Sequence, residues 1–331
     1  MSGWKDALRA DPTAWLLEED DPSVRYFALR DLLDLPAGDP EVERARRAIM
    51  ERGAAAEILK KQRESAYIER CPRYYTDKYT GLVWSLIALA EAGATLNDEI
   101  LSQCEYLLEN AQDPMGGFSM HRAKAGGGLP SEVIPCLTGN LVFAFLRLGL
   151  GADPRVQKGV DWLVRFMRLN DGIELTPQDA PYGHYEMCWG RHTCLMGAAK
   201  ALKAFAEIPA GARTGEVDGA IARCAEFILI HRVYKRSHDV SRVSKPGWTK
   251  FGFPLMYQTD ALELFDVLTA LGIRDERMED AALLVRGKQR PDGRWISENS
   301  YGDRMLIPFD EKGAPGKWVT LRAMRALKRY G

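Results

Sequence analysis

The chain has 331 residues, 46% hydrophobic and 27% charged, which is enough apolar mass for a substantial core in one large domain or two ordinary ones. Lys and Arg (45) nearly cancel Asp and Glu (46), leaving a net charge of −1. The fold as a whole then has no electrostatic reason to bind nucleic acid or an anionic membrane. No apolar run approaches the ~18–20 residues of a spanning helix.

The opening segment, MSGWKDALRADPTAWLLEEDD, has no basic stretch followed by an apolar one, as a signal peptide would. The six cysteines are scattered along the chain. Together these features predict a cytoplasmic protein with free thiols rather than disulfides.

Apolar residues recur at helical spacing almost throughout, and no alternating strand pattern stands out. In chain order, six helical segments read alike: PSVRYFALRDLL, KYTGLVWSLIALAEAG, CLTGNLVFAFLRLG, RHTCLMGAAKALKAF, YQTDALELFDVLTALG and KWVTLRAMRALKRYG. Each has a hydroxyl residue near its start: Ser23, Thr80, Thr138, Thr193, Thr259 and Thr320, at intervals of 57, 58, 55, 66 and 61 residues. Singly, each hydroxyl reads as a cap for unpaired backbone N–H groups. Six at a near-constant interval indicate an internal repeat.

Between these segments lie others with charge on one face, such as DPEVERARRAIMERG, NDEILSQCEYLLENAQ and DPRVQKGVDWLVRFMRL. They begin with the acids and amides expected at helix starts. Six inner helices buried on most sides, alternating with about six one-sided outer helices, predict an all-α fold. The architecture expected is a single α/α toroid over residues 1–331, closed around a central cavity.

One phrase occurs twice: NAQDPMGGF at Asn110–Phe118 and GKQRPDGRW at Gly287–Trp295. Both read Gln, three residues, Gly, one residue, then an aromatic ring. Gln112 and Gln289 are expected at the ends of outer helices, with Gly116 and Gly293 permitting a turn. KKQRESAY at Lys60–Tyr67 and RLNDGI at Arg168–Ile173 read as decayed copies.

QRPDGRW resembles the Gln-Trp repeat of squalene and hopene cyclases. The wider pattern resembles the terpenoid cyclase and protein prenyltransferase β-subunit superfamily over essentially the whole chain. The resemblance implies an enzyme of transferase or cyclase type, with an apolar, isoprenoid substrate in the central cavity. The alternative is a non-catalytic toroid that binds a lipid or a protein partner. The Asp-x-Asp-Asp motif with which squalene-type cyclases protonate their substrate is absent, as is an Asp-Asp-x-x-Asp for magnesium diphosphate.

The prenyltransferase comparison reaches individual residues. After Gly116, Gly117 and Phe118, Arg122 and Lys124 are similar to the pair that grips diphosphate in that family. Cys136 and His192 are similar to two of its three zinc ligands, but Ile134 stands where the third, an Asp, belongs. In CWGRHTC, Cys188 and His192 are four apart, which is one helix face if the helix has begun. Cys136, Cys188 and His192 are therefore the candidate zinc set, three ligands with an open position. Cys194 reads as a packing residue pointing elsewhere. The other reading of the same four residues is as core or half-buried groups with no metal.

Other features concern the ligand. Residues 231–250, HRVYKRSHDVSRVSKPGWTK, form a basic, aromatic-punctuated connection suited to an anionic head group, or simply a solvated loop. Arg191 joins Arg122 and Lys124 as a candidate substrate-binding cation. Tyr79, Trp189, Trp248 and Trp318 precede or open inner helices, where rings stabilise a carbocation or merely fill the core. Asp260, beside Tyr257, is the candidate general acid if desolvation raises its pKa. Its other reading is a charge stabilised at a helix N-terminus.

Overall fold

The computed structural model describes residues 4–65, 73–172 and 182–331. Helices dominate it: α1 (Thr13–Leu16), α2 (Pro22–Phe27), α3 (Pro40–Arg52), α4 (Ala54–Glu64), α5 (Leu82–Glu91), α6 (Asp98–Asn110), α7 (Pro135–Arg147) and α8 (Pro154–Phe166). Then follow α9 (Glu186–Trp189), α10 (Leu195–Ala206), α11 (Gly215–Ile230), α12 (Ala261–Ala270), α13 (Glu279–Gly287) and α14 (Lys317–Tyr330). The basic connection, expected as loop, contains a small antiparallel hairpin of β1 (Lys235–Arg236) and β2 (Asp239–Val243).

The charged helices begin as their sequences dictate. Asp39 accepts a hydrogen bond from the Glu41 backbone N–H at 2.8 Å, Asn97 from Ile100 at 2.9 Å and Asp153 from Arg155 at 2.8 Å. Each satisfies a donor that the first helical turn leaves unpaired. The apolar helices are buried on every side: all residues of α5 and all of α7 from Pro135 to Phe145 are inaccessible. Helix α5 packs on α7, α7 on α10, α10 on α12, α12 on α14, and α14 on α2. Phe27, at the end of α2, lies against Gly93 after α5, so close that a Cβ there would meet its ring at 2.9 Å. Trp84, Phe143 and Phe265 are buried among these helices.

The hydroxyls of the inner helices do not cap their own helices, as expected from sequence. Thr138 Oγ1 accepts from the Phe118 backbone N–H at 2.9 Å, and Thr320 Oγ1 accepts from that of Trp295 at 3.0 Å. Each repeated phrase therefore docks its aromatic residue onto the next inner helix. The hydroxyls of Ser23 and Thr259 are buried without a partner among the described residues, so the bond is seen in only some copies.

The phrase's glutamine works at longer range. Gln112 Nε2 donates to the carbonyls of Gly116 at 3.1 Å and Arg155 at 2.8 Å, tying its turn to the start of α8. Gln289 Nε2 donates to Ala10 and Gly293 carbonyls at 3.0 Å each, while its Oε1 accepts from the Arg9 N–H at 2.8 Å. The last repeat is thereby stapled to the start of the chain. Gly293 has φ +83° and lies where a Cβ would come within 2.6 Å of the Ala10 carbonyl, so only glycine fits the staple. Replacing Gln289 with Ala leaves buried backbone groups unpaired and is expected to cost about 2 kcal/mol or more. Urea denaturation of the variant checks this; an unchanged midpoint would contradict the staple. Of the two decayed copies, Gln62 pairs with Gln103 through mutual amide bonds at 3.0 and 3.1 Å, and Asn170 bonds Thr193. Their last residues lie outside the described residues.

Candidate functional site

The inner helices end around a shared space. Glu91 closes α5, Arg147 closes α7 and Ala270 closes α12, while Lys203 lies in the last turn of α10 and Arg325 and Arg329 in the last turns of α14. All of these border a cavity of about 500 Å³, completed by Phe27, Arg30 and Asp31 after α2. Eight cationic and five acidic side chains line it, an excess of three positive charges. The partial negative charge at helix C-termini favours cations there.

The charges are organised. Glu263 on α12 accepts from Lys200 Nζ at 2.7 and 2.9 Å and from Lys203 Nζ at 3.0 Å, and Lys203 also pairs with Glu91. Lys200 is 1% exposed and Glu263 2%. Burial by itself would raise the pKa of Glu263, but Lys200, Lys203 and Arg322 together hold it well below the usual carboxylate range. Burial in turn pulls the Lys200 ammonium down to about 8, against the pull of Glu263. Asp266 accepts from Arg325 Nε at 2.9 and 3.0 Å and from Arg329 Nη1 at 3.1 Å. Arg147 donates to Glu207 at 2.9 and 3.1 Å.

Arg322 is the exception within this network. It is 3% exposed, yet its closest carboxylate atoms are 3.5 Å away on Glu91 and 3.7 Å on Asp266. Its Nη1 has no hydrogen-bond partner among the described residues. Three other lining cations, Arg30, Arg46 and Arg213, form no ion pair among the described residues. Arg30 donates to the Leu35 carbonyl and Arg213 Nε to that of Ile208 at 2.9 Å. Glu91, Glu263 and Asp266 all have lowered pKa values despite burial, through Lys203, through Lys200 and through Arg325 respectively. The wall therefore offers positive charge and hydrogen-bond acceptors, with Glu91, Glu263 and Asp266 held in their ionised form.

The residues singled out from sequence sit elsewhere. Asp260 caps the N-terminus of α12, the end away from the chamber. Its two oxygens accept from the backbone N–H groups of Glu263 at 2.7 Å and Gly252 at 3.0 Å. Burial raises its pKa to about 7, but the carboxylate borders no part of the chamber. Tyr257 and Tyr79 stack at 6.3 Å between centroids in a cluster with Trp84 and Tyr301. Trp189 is a core residue stacked on Tyr182, with its indole N–H on the Val133 carbonyl. Trp248 is buried, and Arg122, Lys124 and Arg191 are exposed. None of these lines the chamber. Trp318, stacked on Phe253 at 4.2 Å, borders a narrow recess beside it.

The helix assumed to align Cys188 with His192 is interrupted: α9 ends at Trp189, and Gly190 is extended with φ −71° and ψ −164°. His192 is exposed, and its ring lies against Gly172, where a Cβ would approach within 2.6 Å. Cys194, expected to point away, instead hydrogen-bonds Cys188. That bond brings the Cys194 thiol down to about 6 and pushes Cys188 up, while burial pushes the nearby Cys136 thiol up to about 12. Among the described residues no three His, Cys, Asp or Glu side chains are grouped to hold a metal ion. Cys136, Cys188 and His192 form no such group among the described residues.

No protein-family model matches the chain, and no curated protein matches it. Among solved structures it is similar to the type II terpene cyclase MstE from Scytonema, without ligand and as variants in complex with geranylgeranyl dihydroxybenzoate. For the ligand-free enzyme the identity is 13% and the TM-score 0.43, over 94% of this chain and 87% of that one. A likeness at this level is one of coarse helical arrangement and says nothing of the ligand. No helix among the described residues is long and apolar enough to cross a membrane.

Proposed function

We infer that the protein is an α/α toroid, one domain over residues 1–331, that binds a polar, anionic small molecule in its central chamber. The observation that carries this reading is the chamber wall, with eight cations against five acids around about 500 Å³. An isoprenoid chain placed there would strip water from the ion pairs without giving them a polar partner, which is costly. An anionic, hydrogen-bonding ligand gains from both the excess charge and the acceptors.

Thermal unfolding of the purified chain with matched panels of anions, neutral sugars, cations and isoprenoid amphiphiles tests this. A binding anion at a hundred times its Kd adds about 2.7 kcal/mol, a shift of several degrees in Tm. Arg46→Glu, an exposed change at the chamber, is expected to remove most of the shift, while Arg122→Glu leaves it intact. Stabilisation by isoprenoid amphiphiles alone would contradict the reading.

A second reading retains an isoprenoid enzyme at the other end of the inner helices. There the Lys78 ammonium lies 4.6 Å from the Tyr257 ring centroid, 5.0 Å from Tyr75 and 5.7 Å from Trp84. Those rings already hold one cation, as they would have to hold a carbocation. The isoprenoid arm of the same panel decides between the two.

A further inference from the structure

The excess charge of the chamber is not spread evenly. Its five carboxylates stand beside five cations of the inner network, and Lys200 adds a further ammonium behind Glu263. The three remaining guanidinium groups, Arg30, Arg46 and Arg213, come from three separate elements: the turn after α2, helix α3, and the connection between α10 and α11. Arg46 is exposed and Arg30 and Arg213 are half-buried; in the paired network Glu91, Lys203, Glu263, Asp266 and Arg322 are buried, while Asp31, Arg147, Glu207, Arg325 and Arg329 are half-buried. The lining thus falls into two sets: three cations free of ion pairs, and an inner zone of paired groups, nearly neutral but dense in acceptors and donors and containing the buried side chains. The inner zone also holds a buried guanidinium nitrogen that has no hydrogen-bond partner among the described residues, Nη1 of Arg322.

Three guanidinium groups free of ion pairs exceed what a single carboxylate needs, and their planar forks match phosphoryl oxygens. The ion pairs beneath them do not suit an apolar body. Carboxylates already bonded to cations still have lone pairs, so Glu91, Glu207 and Asp31 can accept from hydroxyl groups.

Resting on the anion-binding reading above, we propose that the ligand is a phosphorylated, polyhydroxylated small molecule. Its phosphoryl group sits on Arg30, Arg46 and Arg213. Its hydroxylated body occupies the inner zone, where one oxygen accepts from Nη1 of Arg322.

Isothermal titration of the full chain with inorganic phosphate, glucose 6-phosphate, glucose, inorganic diphosphate and geranyl diphosphate tests the assignment. Glucose 6-phosphate is expected to bind at least tenfold tighter than phosphate, and geranyl diphosphate no tighter than diphosphate. Arg46→Gln and Arg213→Gln, changes at accessible positions that leave the fold intact, should each weaken glucose 6-phosphate about tenfold. Arg322→Lys keeps the charge but loses the fork, and should reduce the gap between glucose 6-phosphate and phosphate. Circular dichroism of each variant confirms folding. A geranyl diphosphate affinity tenfold above that of diphosphate would overturn the hydroxylated body while leaving an anion chamber. Equal affinities for glucose 6-phosphate and phosphate would do the same. Binding of carboxylates or halides but of no phosphoryl compound would overturn the phosphoryl clamp alone. Binding of no anion at all would overturn both the proposal and the reading beneath it.

Discussion

Glu263→Gln is expected to be the most damaging single polar change in this protein. Glu263 is 2% exposed and receives both Lys200 and Lys203. The amide keeps the shape but removes the only charge bonded to Lys200 among the described residues, leaving an ammonium uncompensated in the core. Breaking a buried pair in this way costs roughly 3–5 kcal/mol. The same residue sets the response to acid. Its folded pKa is depressed, because the pull of two lysines and Arg322 outweighs burial. The native state therefore holds its charge more strongly than the unfolded chain. That contribution is complete above the ordinary glutamate range and is lost as pH falls towards the lowered folded value. Wild-type stability should decline below about pH 4.5, and the Gln variant, already destabilised, should show a shallower decline. Urea titrations at pH 7 and pH 4 measure both effects. A variant as stable as wild type at pH 7 would show that the network is dispensable.

The second large effect is expected at Trp295. Its side chain is fully buried, its indole N–H donates to the Val285 carbonyl at 2.7 Å, and its backbone N–H donates to Thr320. Trp295→Ala removes the wedge between α13 and α14 and leaves a cavity beside the staple of Gln289. Truncation of a buried aromatic costs about 3–5 kcal/mol. Thr320→Val, which deletes only the hydroxyl acceptor, should cost about 1–2 kcal/mol, the loss of one buried hydrogen bond. If both variants unfold at the wild-type denaturant concentration, the repeated phrase is not what joins outer to inner helices.

These two residues show what was legible in the sequence and what was not. The phrase around Trp295 is local and periodic, so the order of helices and the place of Gln289 could be read from spacing. The partner of Thr320 could not, because a hydroxyl near a helix start looks like a cap until the preceding turn is folded onto it. The chamber was written in the same helices, as charges three apart inside apolar segments: Lys200 and Lys203, Glu263 and Asp266, Arg322 and Arg325. Residues at that spacing share one helix face, and charges on the face of a buried helix are expensive unless they meet. That signal lies in the sequence, but the motifs that resemble known families lie at the opposite end of the helices. Asp260 illustrates the cost, since a buried aspartate with a raised pKa proved to be an N-cap with both oxygens engaged. Cys188 and His192 show another limit: their spacing suggested one helix face, but Gly190 ends the helix between them.

The central claim, that the polar chamber at the C-terminal ends of the inner helices is where an anion binds, has a direct test. Crystals of the protein soaked in bromide and measured at the bromine absorption edge would locate bound anions by anomalous scattering. The account predicts peaks inside the chamber, beside Arg322 and among Arg30, Arg46 and Arg213. An empty chamber with strong peaks at Arg122, Lys124 or the 231–250 connection would contradict it.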